Sequence, residues 1–97
     1  MAADDAKPEA AQKPLIEYPT IYEFKVMGRR ENGFAEFVRL LFGRLMGAEV
    51  SRDSIVENLS KKGNYVALSV TVYLVSEDHR KTIYEGLHKE KRILYYL

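Results

Sequence analysis

Cysteine and tryptophan are absent from this chain of 97 residues, and histidine occurs only twice. The absence of cysteine excludes disulfides, thiolate nucleophiles and thiolate metal sites. His79 and His88 lie nine positions apart in one predicted helix. They fall on roughly opposite sides of its axis and cannot share an ion. No serine occupies the strand-turn-helix position of a nucleophilic elbow. The sequence therefore predicts no metal, no cofactor and no enzymatic activity.

Long apolar runs are also missing. No window approaches the roughly 20 apolar residues of a membrane-spanning helix, and the N-terminal residues lack the apolar core of a secretory signal. The formal net charge is only +1, so the overall electrostatics demand neither nucleic acid nor an anionic membrane. We predict a cytoplasmic protein that does not engage a membrane.

The first residues differ in composition from the rest of the chain. Residues 1–17, MAADDAKPEAAQKPLIE, are rich in alanine, proline and charge, and have almost no apolar residue before Leu15. That composition predicts a disordered or loosely attached tail. Residues 18–97 are predicted to form a single domain, because the remaining length leaves no room for a second.

The strongest structural signal runs from Ser60 to Val75. From Val66 to Leu74, valine and leucine occupy every second position. This alternation is typical of a strand with one buried and one open face. Gly63 and Asn64 precede it and tolerate the positive φ of a tight reversal. Residues 54–60 are then predicted to be the hairpin partner of a long central strand.

The other elements follow from periodicity and capping residues. An alternating strand ends at Gly28, and a loop leads to Asn32, the predicted N-cap of an amphipathic helix that stops at Gly47. Ser76 is predicted to cap a second helix, and residues 92–97 form a last strand. The order of elements is strand, helix, strand, strand, helix, strand. This order predicts an α+β ferredoxin-like sandwich, with a four-stranded antiparallel sheet and both helices on one face.

Four segments of the chain follow a known pattern: Tyr18-Pro19-Thr20, Phe24-Lys25-Val26-Met27-Gly28, Lys62-Gly63-Asn64-Tyr65, and Tyr84-Glu85 with Leu87. In these segments residues 18–97 resemble the YbeD-like family, small bacterial proteins of unknown function with a ferredoxin-like fold close to that of ACT regulatory domains. The family pattern has serine where this chain has Lys61 and Ala67. The resemblance implies a fold and a bacterial source, and it implies no activity.

The loop between the first strand and the first helix is the candidate ligand site. Backbone N–H groups at a helix start favour anions, and two arginines stand beside them. The resemblance to ACT domains implies a small effector near this loop. The predicted ligand-binding residues are Gly28, Arg29, Arg30 and Asn32.

An alternative for the same loop is an acylphosphatase-like hydrolase. Acylphosphatases share this fold, and the segment Val56-Glu57-Asn58 resembles the one that positions their catalytic water. The chain lacks their phosphate-cradling loop, and mid-helix Arg39 is expected to point away from it.

The uncovered sheet face is the candidate interaction surface. Its predicted residues are Tyr65, Ser69, Thr71 and Tyr73, with Lys62 and Asn64 in the adjacent turn. Tyrosine is favoured at protein interfaces, so we expect a protein partner or self-association there. RNA-recognition domains stack bases on this face, but their aromatic positions fall here on Asn64 and Val66. Our main hypothesis is a non-catalytic regulatory or adaptor domain. The alternative is a nucleic-acid-binding module that uses this open sheet face.

Overall fold

The structure is a computed structural model that describes residues 16–97. The tail predicted for residues 1–17 lies almost wholly outside the described residues. The elements follow in the order β1 Thr20–Arg29, α1 Phe34–Met46, a 3-10 helix Arg52–Ser54, β2 Ile55–Leu59, β3 Tyr65–Leu74, α2 Glu77–His88 and β4 Ile93–Tyr96. The strands form one antiparallel sheet in the order β2-β3-β1-β4. This is the predicted ferredoxin-like α+β arrangement.

The centre of the sheet is the pairing of β1 with β3. The two strands are in register over ten positions, from Thr20 opposite Leu74 to Arg29 opposite Tyr65. Every second side chain of each strand is buried against the helices, because successive side chains of a strand point to opposite faces. The strand-helix core contains, among other buried residues, Phe24, Val26, Val38, Leu41, Phe42, Leu68, Val70, Leu74, Ile83 and Leu87.

The ends of the helices test the predicted caps. Gly47 ends α1 in the left-handed region, with φ of 72°, and its N–H donates to the carbonyl of Gly43, as predicted. Ser76 caps α2, since its Oγ accepts from the N–H of His79 at 3.1 Å. The N-cap of α1 was predicted wrongly. It is Gly33, with φ of 63° and no side-chain cap, and Asn32 precedes it with φ of 49°.

The last strand lies at the edge of the sheet beside β1. Its register shifts by a bulge between Met27 and Gly28. The pairing with β1 extends one residue beyond the end of β4, because Leu97 and Lys25 exchange two backbone hydrogen bonds of 2.8 and 3.0 Å. No helix within residues 16–97 has the length and apolar character needed to span a membrane.

Candidate functional site

The predicted ligand loop is divided between the two sides of the sheet. Gly28 is buried, and a Cβ atom there would lie 2.4 Å from Cζ of Phe34, so Gly28 serves packing and is not accessible to a ligand. Arg29 lies on the face away from the helices, with its guanidinium 5.8 Å from the ring centre of Tyr65. Of the four predicted residues, only Arg30 and Asn32 line a common cavity.

That cavity is a groove of about 540 Å³ between the start of α1 and the edge strand β2. The helices do not reach over β2, so the side chains that β2 directs to the helix side remain partly open to solvent. We call it the groove; it is lined by Arg30, Glu31, Asn32, Gly33, Phe34, Ala35, Glu36, Arg39, Arg52, Ile55, Glu57, Leu59 and Val66. Its volume lies within the roughly 300–1,000 Å³ of known ligand pockets.

One arginine of the groove is already engaged. Arg39 was expected to point away, but it lines the groove, where its guanidinium binds both carboxylate oxygens of Glu36 and donates to the carbonyl of Val50 at 2.9 Å. The hydrogen bond from Arg39 lowers the pKa of Glu36 below its usual value. Because Glu36 lies in the first turn of α1, its carboxylate also offsets the positive end of the helix dipole. The helix start is therefore a poor anion site.

The loop before α1 is held in place from the far end of the chain. Arg92 donates through Nη2 to the carbonyls of Glu31 and Asn32, at 2.8 and 3.1 Å. Its guanidinium also lies 4.6 Å from the ring centre of Phe37. Both contacts fix the wall of the groove at Asn32, and neither was predicted from the sequence, because Arg92 is about 60 residues away along the chain.

The open face, the sheet surface away from both helices, presents most of the predicted interaction residues. Tyr65, Thr71 and Tyr73 are exposed on it. Ser69 has the predicted orientation but is only 9% exposed, because it lies between Val56 and Lys25 on the neighbouring strands. Ser69 is thus a buried part of the sheet and offers no accessible hydroxyl.

The turn beside the open face holds the last two predicted residues. Lys62 and Asn64 are both exposed there. The carbonyl of Asn64 accepts from the N–H of Arg30 at 2.9 Å, which ties this turn to the loop before α1. Lys62 and Asn64 do not line the groove themselves, but their turn is bonded to Arg30, which does.

Sequence reasoning missed most of the apolar surface of the open face. Pairing places Ile21 beside Tyr73, Met27 beside Tyr95, and Leu97 beside Lys25. Together with these, Val56 completes a set of exposed apolar side chains across all four strands. The alternation of the first strand placed Met27 outward, and Ile21 was not singled out. Tyr95 and Leu97 depend on the bulge and had no signal in the sequence.

The structure places the residues of the hydrolase alternative on both sides of the sheet. Asn58 pairs with Ala67 and lies exposed on the open face. Arg30 lines the groove on the opposite side of the sheet. Arg29 shares the open face with Asn58, so the sheet separates Asn58 from Arg30 and not from Arg29.

A second polar cluster joins the segment before β1 to the start of α2. The hydroxyl of Tyr18 donates to Oε1 of Glu77 at 2.6 Å, and Arg80 donates to both oxygens of that carboxylate at 3.1 and 2.7 Å. These hydrogen bonds, first that of Arg80, lower the pKa of Glu77 to about 2. Burial and the hydroxyl of Tyr22 raise the pKa of nearby Tyr84 to about 12. This cluster fastens chain segments together and does not adjoin the groove.

The chain is similar to other bacterial proteins over most of its length. The family described as "Protein of unknown function (DUF493)" matches residues 13–97. A UPF0250 protein of Leptothrix cholodnii is 37% identical over 76 residues, which are 78% of this chain and 82% of that protein. A UPF0250 protein of Ralstonia nicotianae is 31% identical over 85 residues, 88% of this chain and 87% of that protein.

A solved structure shares the fold. The solution structure of protein HP0495 from H. pylori has a TM-score of 0.68 and 17% sequence identity, and the similarity covers 97% of this chain and 98% of that one. At that identity the likeness supports the fold alone. The resemblance to YbeD-like proteins is confirmed by the sequence relatives: the chain belongs to the DUF493 family, the small bacterial UPF0250 proteins of unknown function.

Proposed function

We propose that this chain is a non-catalytic interaction domain that serves as a regulator or adaptor, and that its open face binds a second copy of the chain. The observation that carries the proposal is the set of exposed apolar side chains on that face, among them Val56 and Tyr73, each 57% exposed. Ile21 and Tyr73 lie at one end of the face and Met27 and Tyr95 at the other, with the exposed Glu23 and Lys25 between them. Exposed apolar side chains gathered on one face in this way favour an interaction site.

The size of the open face suits a small, reversible interface. At about 3.3 Å per residue and about 4.8 Å between strands, the four strands cover a flat area of roughly 460 Å². Protruding side chains raise the accessible area towards the roughly 800 Å² per partner of a standard interface. We therefore expect dissociation in the micromolar range, about 10⁻⁶ to 10⁻⁴ M.

The open face carries charges of both signs. This favours binding of a second copy of the chain over binding of a partner whose surface is uniformly acidic or uniformly basic. Glu23 and Lys25 are both exposed near the middle of β1. A two-fold axis lying between the two stacked faces, across the strands, sets Glu23 of one copy against Lys25 of the other, twice. The same axis sets the large ring of Tyr73 against the small Ala67. The face is thus complementary to itself.

A charge exchange tests this arrangement in solution. Glu23→Lys places two lysines together at each contact, and Lys25→Glu places two glutamates together. Each single variant should lower the dimer fraction, and the double variant should restore it, because the pairs re-form with reversed sign. Analytical ultracentrifugation over a hundredfold concentration range centred on about 10⁻⁵ M measures the mass of the particle in solution. Leu40→Glu, at an exposed leucine of α1, is the matched control and should leave the mass unchanged.

Three outcomes would reject the proposal. The first is a monomer at all concentrations, and the second is a double variant no more dimeric than the single ones. The third is a monomer that retains RNA in a salt-dependent way and loses it with Tyr65→Ala and Tyr73→Ala, which would assign the open face to nucleic acid.

A further inference from the structure

The edge strand β2 directs part of its backbone hydrogen-bonding capacity away from the sheet. Within residues 16–97 it pairs only with β3. The N–H of Ser60 donates to the carbonyl of Tyr65 at 2.9 Å, so the inward-bonded positions of β2 are Asn58 and Val56, because an antiparallel ladder alternates. Glu57 between them therefore directs its N–H and C=O outward.

The neighbouring residues of the same parity share this property. Leu59 also directs both backbone groups outward by the alternation. Ile55 directs only its C=O outward, because its N–H donates to the carbonyl of Arg52. The outer edge of β2 thus presents a short, regular row of two N–H donors and three C=O acceptors.

The side chains of these same residues enter the groove. Ile55, Glu57 and Leu59 all line it, and the first turn of α1 forms the opposite wall with Phe34 and Ala35. An extended chain placed beside β2 would therefore do two things at once. It would hydrogen-bond to the outward groups, and it would place every second side chain in the groove.

The two ends of the groove differ in how their cations are paired. At the Leu59 end, Nη1 of Arg30 lies 3.6 Å from where a Cβ of Gly63 would stand, and Lys61 and Lys62 are exposed in the same turn. Glu31 and Glu57 are the carboxylates of the lining near this end, whereas Lys61 and Lys62 stand in the adjacent turn outside it. Three cations against two carboxylates favour an acidic group on the ligand.

At the other end of the groove two arginines share one carboxylate. Arg52 lies 3.6 Å from Oε1 of Glu36, whose carboxylate also binds Arg39. Both arginines at that end already hold a carboxylate, whereas Arg30 forms no ion pair within residues 16–97. An acidic residue of a bound chain is therefore favoured at the Arg30 end.

We propose that an extended peptide segment of a partner protein adds to β2 as a further strand of the sheet. Its alternate apolar side chains occupy the groove between Ile55 and Phe34, and an acidic residue at one end pairs with Arg30. The site lies on the opposite side of the sheet from the surface proposed for self-association. An adaptor with both surfaces holds its partner while it is paired with a second copy.

A selection from phage-displayed linear peptides on the full chain tests the proposal. We expect enriched peptides to alternate apolar and polar residues over about five positions, the length of β2, and to carry an acidic residue at one end. Glu57→Pro removes an outward N–H without breaking a bond to β3. It should weaken binding of a selected peptide at least about tenfold, whereas Glu57→Thr keeps that N–H and should not.

A second measurement does not depend on any variant folding. The selected peptide is synthesised with N-methyl groups at alternate positions, in both phases, and titrated against the unaltered chain by fluorescence anisotropy. Methylation of the N–H groups that face β2 should abolish binding, and methylation of the other phase should not. Arg30→Glu should weaken the acidic peptide about tenfold and leave an uncharged analogue unchanged.

The contrary outcomes are equally specific. The proposal is rejected if no peptide is enriched, if selected peptides bind Glu57→Pro as tightly as the unaltered chain, or if both methylated phases bind equally. The proposal is also rejected if a small anionic effector binds in the groove and its affinity is the same for Glu57→Pro and the unaltered chain. None of these results depends on the dimer mass, so failure here is distinguishable from failure of self-association.

Discussion

Gly28 allows β1 and α1 to approach closely because it has no side chain. A Cβ atom there would lie 2.4 Å from Phe34 Cζ and 2.7 Å from the carbonyl oxygen of Arg92. Neither a buried ring nor a backbone atom yields readily, so Gly28→Ala should lower the free energy of unfolding by about 2 kcal/mol. Urea denaturation followed by circular dichroism measures it.

Gly86 provides the control for Gly28. A Cβ atom there would also be close, 2.5 Å from Cδ1 of Leu45, but that atom is the end of a flexible, partly exposed side chain. Alanine within a helix is favoured over glycine by about 1 kcal/mol, which offsets the repacking of Leu45. Gly86→Ala should change stability by less than about 1 kcal/mol, and a loss as large as that of Gly28→Ala would contradict the packing argument.

Glu77 gives the fold a dependence on pH. Its pKa is about 2 in the folded chain and 4.5 without its partners. A carboxyl group with a depressed pKa contributes stability that is fully present above pH 4.5 and is lost as the pH falls towards 2. Glu77→Gln should therefore destabilise the chain at pH 7, and its difference from the unaltered chain should shrink between pH 4.5 and 2.

Denaturation midpoints at pH 7, 4 and 2.5 would show this convergence. Asp78→Asn is the control, because it removes a second carboxylate from the first turn of α2 while the contacts of Tyr18 and Arg80 remain. A constant difference between Glu77→Gln and the unaltered chain across this range would contradict the assigned role of the carboxylate.

At the scale of the elements, α1 ends where its sequence requires it. Gly47 adopts φ of 72°, a region that costs any residue with a Cβ atom. Gly47→Ala should reduce stability by about 1 kcal/mol. Gly43→Ala, one turn earlier, has the nearest atom at 3.4 Å and should instead be neutral or stabilising by up to about 1 kcal/mol. Parallel urea titrations compare the two, and equal effects would contradict the cap assignment.

The sequence predicted the elements well because their signals are local. Strict alternation defined β3, and Ser76 and Gly47 occupy the predicted caps. It failed at Asn32, where local preference favours an N-cap. There Arg92, the residue before β4, donates hydrogen bonds to the carbonyls of Glu31 and Asn32. Rules that consider only neighbouring residues in the sequence cannot predict this contact.

The candidate sites were less predictable because they depend on pairing between distant strands. The groove exists because β2 lies beyond the reach of α1, and its lining residues Ile55 and Leu59 were read only as hairpin residues. Arg29 and Arg30 are adjacent in the sequence, yet the pleat of β1 sends the former to the open face and the latter to the groove. The predicted pair of anion-binding arginines is therefore separated.

For the whole molecule, self-association couples stability to concentration. A ligand that binds only the folded state raises the unfolding temperature, and here the ligand is another copy of the chain. The thermal midpoint should rise by several degrees over a hundredfold increase in concentration, roughly 2–3 kcal/mol of linkage. Glu23→Lys should flatten this dependence, and a midpoint independent of concentration in the unaltered chain would contradict dimerisation.

The ten-position pairing of β1 with β3 has a consequence for hydrogen exchange. Both strands have a neighbour on either side, so their amides are released only when much of the sheet opens. Among residues 16–97, β2 and β4 each have one neighbour, and their amides should exchange through smaller, more frequent openings. In deuterium oxide the two middle strands should retain protons longest. A peptide seated on β2 should slow exchange at Glu57 and Leu59 while leaving Val56 and Asn58 little changed.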